Sequence, residues 1–224
     1  QAQLPTDALR FAGKVRETLG IPEVAGRPET QVSSRRIIED QFQVCVEEGI
    51  TILVSALGSP DWLVEEIHVH KMTVLGLIGN VKESRRVAES GADIIIAQGH
   101  EAGGHTGRIG TLALVPQVVD AVYPTPVVAA GGIADGRGLV AALALGAIGV
   151  WCGTAFAATH EACVDHVAAG IYPQWECDLR KQRILQATED DARITKVMTG
   201  KTLRNIVNKF VQNWEKSGGP ILKE

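Results

Sequence analysis

No cluster of lysine or arginine stands anywhere in the 224 residues, and acidic side chains outnumber basic ones by 26 to 22, for a net charge of −4. The chain therefore lacks the basic footprint expected of a binder of nucleic acid or anionic lipid. It also lacks any run approaching the roughly 20 apolar residues of a membrane span. The opening residues, Gln1-Ala2-Gln3-Leu4-Pro5, have neither the charged region nor the apolar centre of a signal peptide. The four cysteines, Cys45, Cys152, Cys163 and Cys177, show no metal-ligand spacing and read as thiols of a reducing compartment rather than as disulfides. These absences leave small-molecule chemistry in a cytoplasmic protein, with no nucleic acid, membrane or metal. The chain does not begin with methionine, and residues are expected upstream.

What is present is a rhythm. From about residue 35, helical and strand-like segments alternate. Ile38, Phe42, Cys45 and Val46 fall on one helical face, and 50–56 reads as a strand. A helix opened by Pro60-Asp61 follows, then a strand over 72–78, a helix over 81–90 and a strand over 92–97. Beyond these come a helix over 114–122, a strand over 126–130, a helix over 135–145 and a strand over 147–152. Five βα units predict an α/β fold with a parallel sheet. The segment 155–201 shows no clear strand and reads as a helical cap. Leu203, Ile206, Val207, Phe210, Val211 and Trp214 recur at three and four residues, predicting a final helix over 202–214. Residues 1–36 and 217–224 read as loosely ordered.

The chemistry concentrates after the strands. Ala97 to Gly107, AQGHEAGGHTG, carries two histidines, a glutamate and four glycines. A zinc helix would need its histidines four apart; His100 and His105 are five apart with Gly103 and Gly104 between them, and glycine is a poor helix former. The stretch is a glycine loop at a strand's C-terminal end, where α/β proteins place their chemistry. Gly131-Gly132 and the stretch Trp151-Cys152-Gly153-Thr154 end two later strands in the same way. Each loop alone is no more than a tight turn. Three after three consecutive strands point to one rim and a phosphorylated cofactor or substrate, approached by main-chain amides.

The runs Gln98-Gly99-His100-Glu101-Ala102-Gly103-Gly104-His105-Thr106-Gly107, Ala129-Ala130-Gly131-Gly132-Ile133-Ala134-Asp135-Gly136-Arg137-Gly138 and Cys152-Gly153-Thr154 resemble the flavin signatures of nitronate monooxygenases, formerly called 2-nitropropane dioxygenases. The resemblance spans about 37–214. It implies a TIM (β/α)8 barrel holding FMN at its C-terminal mouth. Gln98 would contact the flavin, and Gly103 and Gly104 would line its ribityl phosphate. Gly131, Gly132, Trp151, Cys152, Gly153 and Thr154 would complete the phosphate site, with His105 as catalytic base. The implied reaction is the oxidation of alkyl nitronates by O2 to a carbonyl compound and nitrite, by a flavin-dependent monooxygenase. The barrel portion would be 37–154, the substrate segment 155–201 and the last barrel helix 202–216. The five strands match the family's fourth to eighth. The first three have no counterpart before residue 35, and five strands cannot close an eight-stranded barrel, so the chain is expected to be part of a longer protein.

Histidine suits the task of base because its ordinary pKa, roughly 6.5, lies near working pH. Glu101 reads as a loop-holding cap, and Arg137 as the partner of a surface acid. His68, His70, His160 and His166 read as ordinary surface residues. Two alternatives stay open: an FMN-dependent NAD(P)H reductase of enoyl thioesters or quinones, and a non-catalytic phosphate-ligand binder or inactive fragment. Self-association into a homo-oligomer also stays open.

Overall fold

The computed structural model describes residues 6–20, 35–56, 61–197 and 199–219. Its centre is a parallel sheet of five strands: β1 (Ile52–Ser55), β2 (Thr73–Ile78), β3 (Ile94–Gln98), β5 (Val127–Ala130) and β6 (Gly149–Trp151), in that spatial order. The two-residue β4 (Gly104–His105) belongs to a second sheet. The connections of the first sheet are α3 (Val64–Val69), α4 (Val81–Glu89), α5 (Thr111–Val122) and α6 (Gly136–Ala144), and α2 (Arg35–Glu47) precedes β1. These are successive βα units of a TIM barrel. Among the described residues neither β1 nor β6 has a second neighbour, so the sheet is an open arc of that barrel.

The strands alternate between two apolar layers because successive side chains point to opposite faces. Val74, Ile78, Ile95, Ala97, Val127 and Ala129 face the helices, where they meet Leu114, Val115 and Val118 of α5 and Val87 of α4. Leu75, Ile96 and Ala130 face the other way with Leu77, Ile94 and Val128, forming the layer that fills a barrel's interior. A strand buried on both faces carries no polar alternation. That is why 94–97 and 127–130 read as unbroken apolar runs.

Most of the expected elements lie within a few residues of their places. Helix α2 buries Phe42, with Ile38, Cys45 and Val46 beside it. The helix expected to open at Pro60-Asp61 begins at Val64, and Pro60 itself lies outside the described residues. Asp135 caps α6 by accepting the Arg137 N–H at 2.9 Å. At the C-terminal ends of the strands two loops touch backbone to backbone. A Cβ on Gly107 would stand 2.3 Å from the Gly79 carbonyl oxygen, so the chain passes there only because no side chain intervenes.

Three expectations are corrected. The N-terminal segment read as loosely ordered contains α1 (Thr6–Thr18). There Val15 is buried and Phe11 meets Trp214 edge-on at 4.8 Å; residues 1–5 and 21–34 lie outside the described residues. The segment 155–201 does hold helices, α7 (Thr154–Ala157), α8 (Val164–Ala168) and α9 (Gln174–Gln186), but also the strand β7 (Ala192–Thr195). The last helix is shorter than expected. Leu203–Ile206 is strand β8, and α10 runs Lys209–Lys216 from Asn208, whose side chain accepts the Val211 N–H at 2.9 Å. The order in the second sheet is β4-β8-β7, antiparallel throughout. The apolar spacing across 203–214 fits a single helix, but the Asn208 cap marks where helix begins. Upstream of it the backbone is satisfied by the neighbouring strands instead.

The two leucines of α5 test the layer assignment. Leu114 is wholly buried and Leu112 is 69% exposed. Leu114→Ala should lower unfolding free energy by about 2–5 kcal/mol, while Leu112→Ala stays within about 0.5 kcal/mol of the parent, both read from urea melts. Equal losses at the two positions would contradict the packing.

Candidate functional site

The three glycine loops meet. A cavity of about 780 Å³ opens at the C-terminal ends of β3, β5 and β6, lined among others by Gln98, Gly103, Gly131, Gly132 and the stretch Trp151, Cys152, Gly153 and Thr154. Its size falls within the roughly 300–1,000 Å³ of small-molecule sites. Gly104 is not in the lining; its place is in the β4 ladder, opposite Arg204. His105 lines an adjoining cavity of about 420 Å³, and Gln98 is a wall of both.

A polar knot holds the loops in register. The backbone N–H at the start of α5 donates to both carboxylate oxygens of Glu101, at 3.0 and 2.9 Å. The helix is preceded by Gly110, which has no side chain to cap with, so Glu101 supplies the negative group that a helix N-terminus favours. The Thr111 hydroxyl lies 2.9 Å from Glu101 Oε2, 2.9 Å from the Gly131 carbonyl and 3.2 Å from that of Ala130. One side chain thus ties the loop after β3 to the loop after β5. Gly131 adopts φ +101°, and a Cβ there would stand about 3 Å from Thr111 Oγ1, the Ala102 N–H and the Gly99 carbonyl. Only glycine fits that junction comfortably.

Burial pushes the Glu101 carboxyl up. Hydrogen bonds from its own backbone N–H and from the Thr111 amide and hydroxyl outweigh that, with His100 adding attraction, and hold it below the usual glutamate range. With its charge turned to α5, this carboxylate is engaged inside the loop. Arg137 pairs with Asp135 through Nε at 3.0 Å and is absent from both linings.

His105 is held from several directions. Its carbonyl accepts from Gln98 Nε2 at 2.7 Å. Its backbone pairs with Leu203 of β8, and the next amide, Thr106 N–H, donates to the Thr202 carbonyl at 3.0 Å. Its Nε2 lies 2.9 Å from Thr199 Oγ1. Beside it the Thr106 hydroxyl is buried with no hydrogen-bond partner among the described residues, and Thr106 lines the smaller cavity.

Several contributors went unread in the sequence: Ile184 and Leu185 of α9, Arg204 of β8, and the pair Lys201 and Thr202. Arg204 donates to the Glu101 carbonyl at 3.3 Å. They arrive from the segment after Thr154, where no motif marks them. Recognising β7 and β8 as a hairpin was the only available signal, through the Thr188–Asp191 turn that precedes it. Of the other histidines, His68 bridges to Asp93 at 3.0 Å and His166 lies against Tyr172.

The Glu101 geometry sets a pH dependence. A carboxyl held below its unfolded value contributes stability that is complete above the ordinary glutamate pKa, about 4.3, and that is lost as pH falls through the lower folded value. Glu101→Gln should therefore melt below the parent at about pH 7, with the gap narrowing towards about pH 3. A gap that is constant or widens on acidification would contradict the knot.

A profile of the nitronate monooxygenase family matches residues 13–222. A protein of Mycobacterium tuberculosis named as a monooxygenase is 39% identical over 223 residues, 97% of this chain and 56% of its own length. The probable nitronate monooxygenase of Staphylococcus saprophyticus is 37% identical over 82% of this chain and 52% of its own. The solved nitroalkane oxidase of Streptomyces ansochromogenes superposes with a TM-score of 0.74 at 30% identity, covering 99% of this chain and 63% of that one. FabK of Thermotoga maritima superposes with a TM-score of 0.70 at 29% identity, covering 96% and 64%. The chain spans about half the length of the curated relatives it matches. No described helix is long and apolar enough to cross a membrane. With its profile match, its relatives and its shared fold, the chain belongs to the nitronate monooxygenase family.

Proposed function

We propose that this chain carries the FMN cradle and the base of an enzyme that oxidises alkyl nitronates with O2 to a carbonyl compound and nitrite. The observation that supports it is the convergence of three glycine loops on one cavity, with His105 on the wall of the next. The residues present fit FMN. Gly103, Gly132 and Gly153 all line the larger cavity, and their backbone N–H groups have no acceptor among the described residues. Main-chain amides with no such acceptor, brought to one cavity by three loops, are donors available to a phosphate. Thr154 adds a hydroxyl and Arg204 a positive charge, while Ile133, Ile184 and Leu185 supply apolar walls. Gln98, between the cavities, has its amide nitrogen committed to His105, which leaves its carbonyl oxygen to accept from a ring.

When bound, FMN supplies a two-electron acceptor that O2 regenerates. The chain does the rest. His105 takes the acidic proton from the carbon bearing a neutral nitro group. The Thr106 hydroxyl, buried with no partner among the described residues, has a hydrogen bond to give to a nitro oxygen. The segment 155–201 contributes Ala155 and Ala157 of α7 and Ile184 and Leu185 of α9 to the wall of the larger cavity, which supports its reading as the substrate-facing part of the chain. The working partners are then a nitronate or nitroalkane and O2, in a cytoplasmic enzyme.

The likeness to FabK and 38% identity over 79% of this chain to an indene-carboxyl-CoA dehydrogenase of Mycobacterium tuberculosis favour a second reading, an NAD(P)H-dependent flavin reductase. A visible spectrum of the holoenzyme, taken anaerobically with a nitronate and separately with NADH, separates the two. Bleaching by the nitronate supports the monooxygenase; bleaching by NADH without nitrite release assigns the reductase. His105→Ala should keep its flavin spectrum and lose roughly 10²–10⁴-fold in turnover of neutral nitroalkane, with pre-formed nitronate, which has no proton to lose, much less affected. Unchanged nitroalkane turnover would remove the base from His105.

A further inference from the structure

We propose that Thr199 is a positioning residue for the His105 imidazole, fixing both its rotation and its tautomer; this rests on the reading of His105 as base. Thr199 lies in the turn between β7 and β8, 94 residues from His105, and its Oγ1 stands 2.9 Å from Nε2. Among the described residues no partner contacts Nδ1. A neutral imidazole has one N–H and one lone pair. If Thr199 donated its hydroxyl hydrogen to Nε2, the proton would sit on Nδ1 and neither nitrogen would be free to take another. For His105 to act as a base in this geometry, the Thr199 oxygen must accept from Nε2–H, which leaves the Nδ1 lone pair for the substrate proton. In that arrangement the Thr199 oxygen, which also accepts from the Lys201 N–H at 3.4 Å, holds the ring in the Nε2–H tautomer, as a hydrogen bond at one ring nitrogen sets the role of the other.

The backbone of His105 does not need Thr199. The Gln98 amide, the ladder to Leu203 and the bond from Thr106 to Thr202 hold it independently. What Thr199 adds is control of the side-chain torsions, which those contacts leave free. Aligning a base in advance lowers the barrier because its orientation is no longer acquired in the transition state.

The test compares Thr199→Val, Thr199→Ser, His105→Ala and the parent as full-length holoenzymes, with two readouts. The first is turnover of a neutral nitroalkane against its pre-formed nitronate. Thr199→Val should lose about ten- to a hundredfold on the nitroalkane and retain nitronate turnover, and Thr199→Ser should restore the loss. The second is the ¹⁵N signature of the His105 ring, assigned by its disappearance in His105→Ala and read without substrate. The parent and Thr199→Ser should show protonated Nε2 and unprotonated Nδ1, and Thr199→Val should show mixed tautomers. Should His105→Ala retain nitroalkane turnover, the base reading falls and this inference with it. Should His105→Ala lose turnover while Thr199→Val keeps both the parent's turnover and its ring signature, the base reading stands and the positioning role alone is overturned. Equal losses on nitroalkane and nitronate would also overturn it, because they would show general damage to the site.

Discussion

The pairing of Gly104–His105 with Leu203 and Arg204 is the contact on which the site's organisation depends. A glycine loop leaving a buried strand has backbone groups with no helix or sheet of its own to satisfy them, and unpaired buried amides and carbonyls are costly. Here the loop borrows the edge of a hairpin made far downstream. Two residues become strand, the following amide bonds Thr202, and Arg204 reaches back to the Glu101 carbonyl. The histidine is therefore presented on a braced edge.

The second brace is the Glu101–Thr111 knot, and the two have different tasks. The ladder fixes the loop to the segment that covers it, while the knot fixes it to the next loop of the barrel rim. Between them sits Gln98, at the last position of β3 and in register with Ala130. Its placement follows from the sheet. With Ile95 and Ala97 packed against the helices and Ile96 inward, strict alternation turns Gln98 to the inner side at the mouth. The apolar layers thus decide which side chain reaches the cavities.

Much of this was legible in the sequence because it is local. Runs such as Ile94-Ile95-Ile96 can be little other than strands bounded by Gly91 and Gly99, and three glycine loops after three parallel strands must open at the same end of a sheet. Glu101 and Arg137 could be assigned to loop and surface roles for similar reasons. The hairpin was not legible. Its strands are four residues each, and their stability comes from one another and from a two-residue edge paired with β8 about 100 positions earlier, which no window of sequence contains. Leu203, Ile206 and Val207 satisfy a helical spacing as well as a strand, so tertiary pairing decided against the periodicity. The place of Gly104 in the ladder opposite Arg204 was hidden for the same reason. Helix α1 escaped notice because its buried Val15 finds its apolar surroundings only when α10 is in place.

The distance along the chain between His105 and Thr199 has a kinetic side. Bringing together groups so widely separated requires closing a long loop, whose entropic cost must be met before the contact returns anything. The glycine rim, made from loops spaced about 20 to 50 residues apart, closes shorter loops than the imidazole's bridge and can assemble earlier and open later. Partial opening that frees the β7–β8 hairpin would leave the Glu101–Thr111 knot tied while releasing the imidazole from Thr199, so the two halves of the rim can come apart in sequence rather than together.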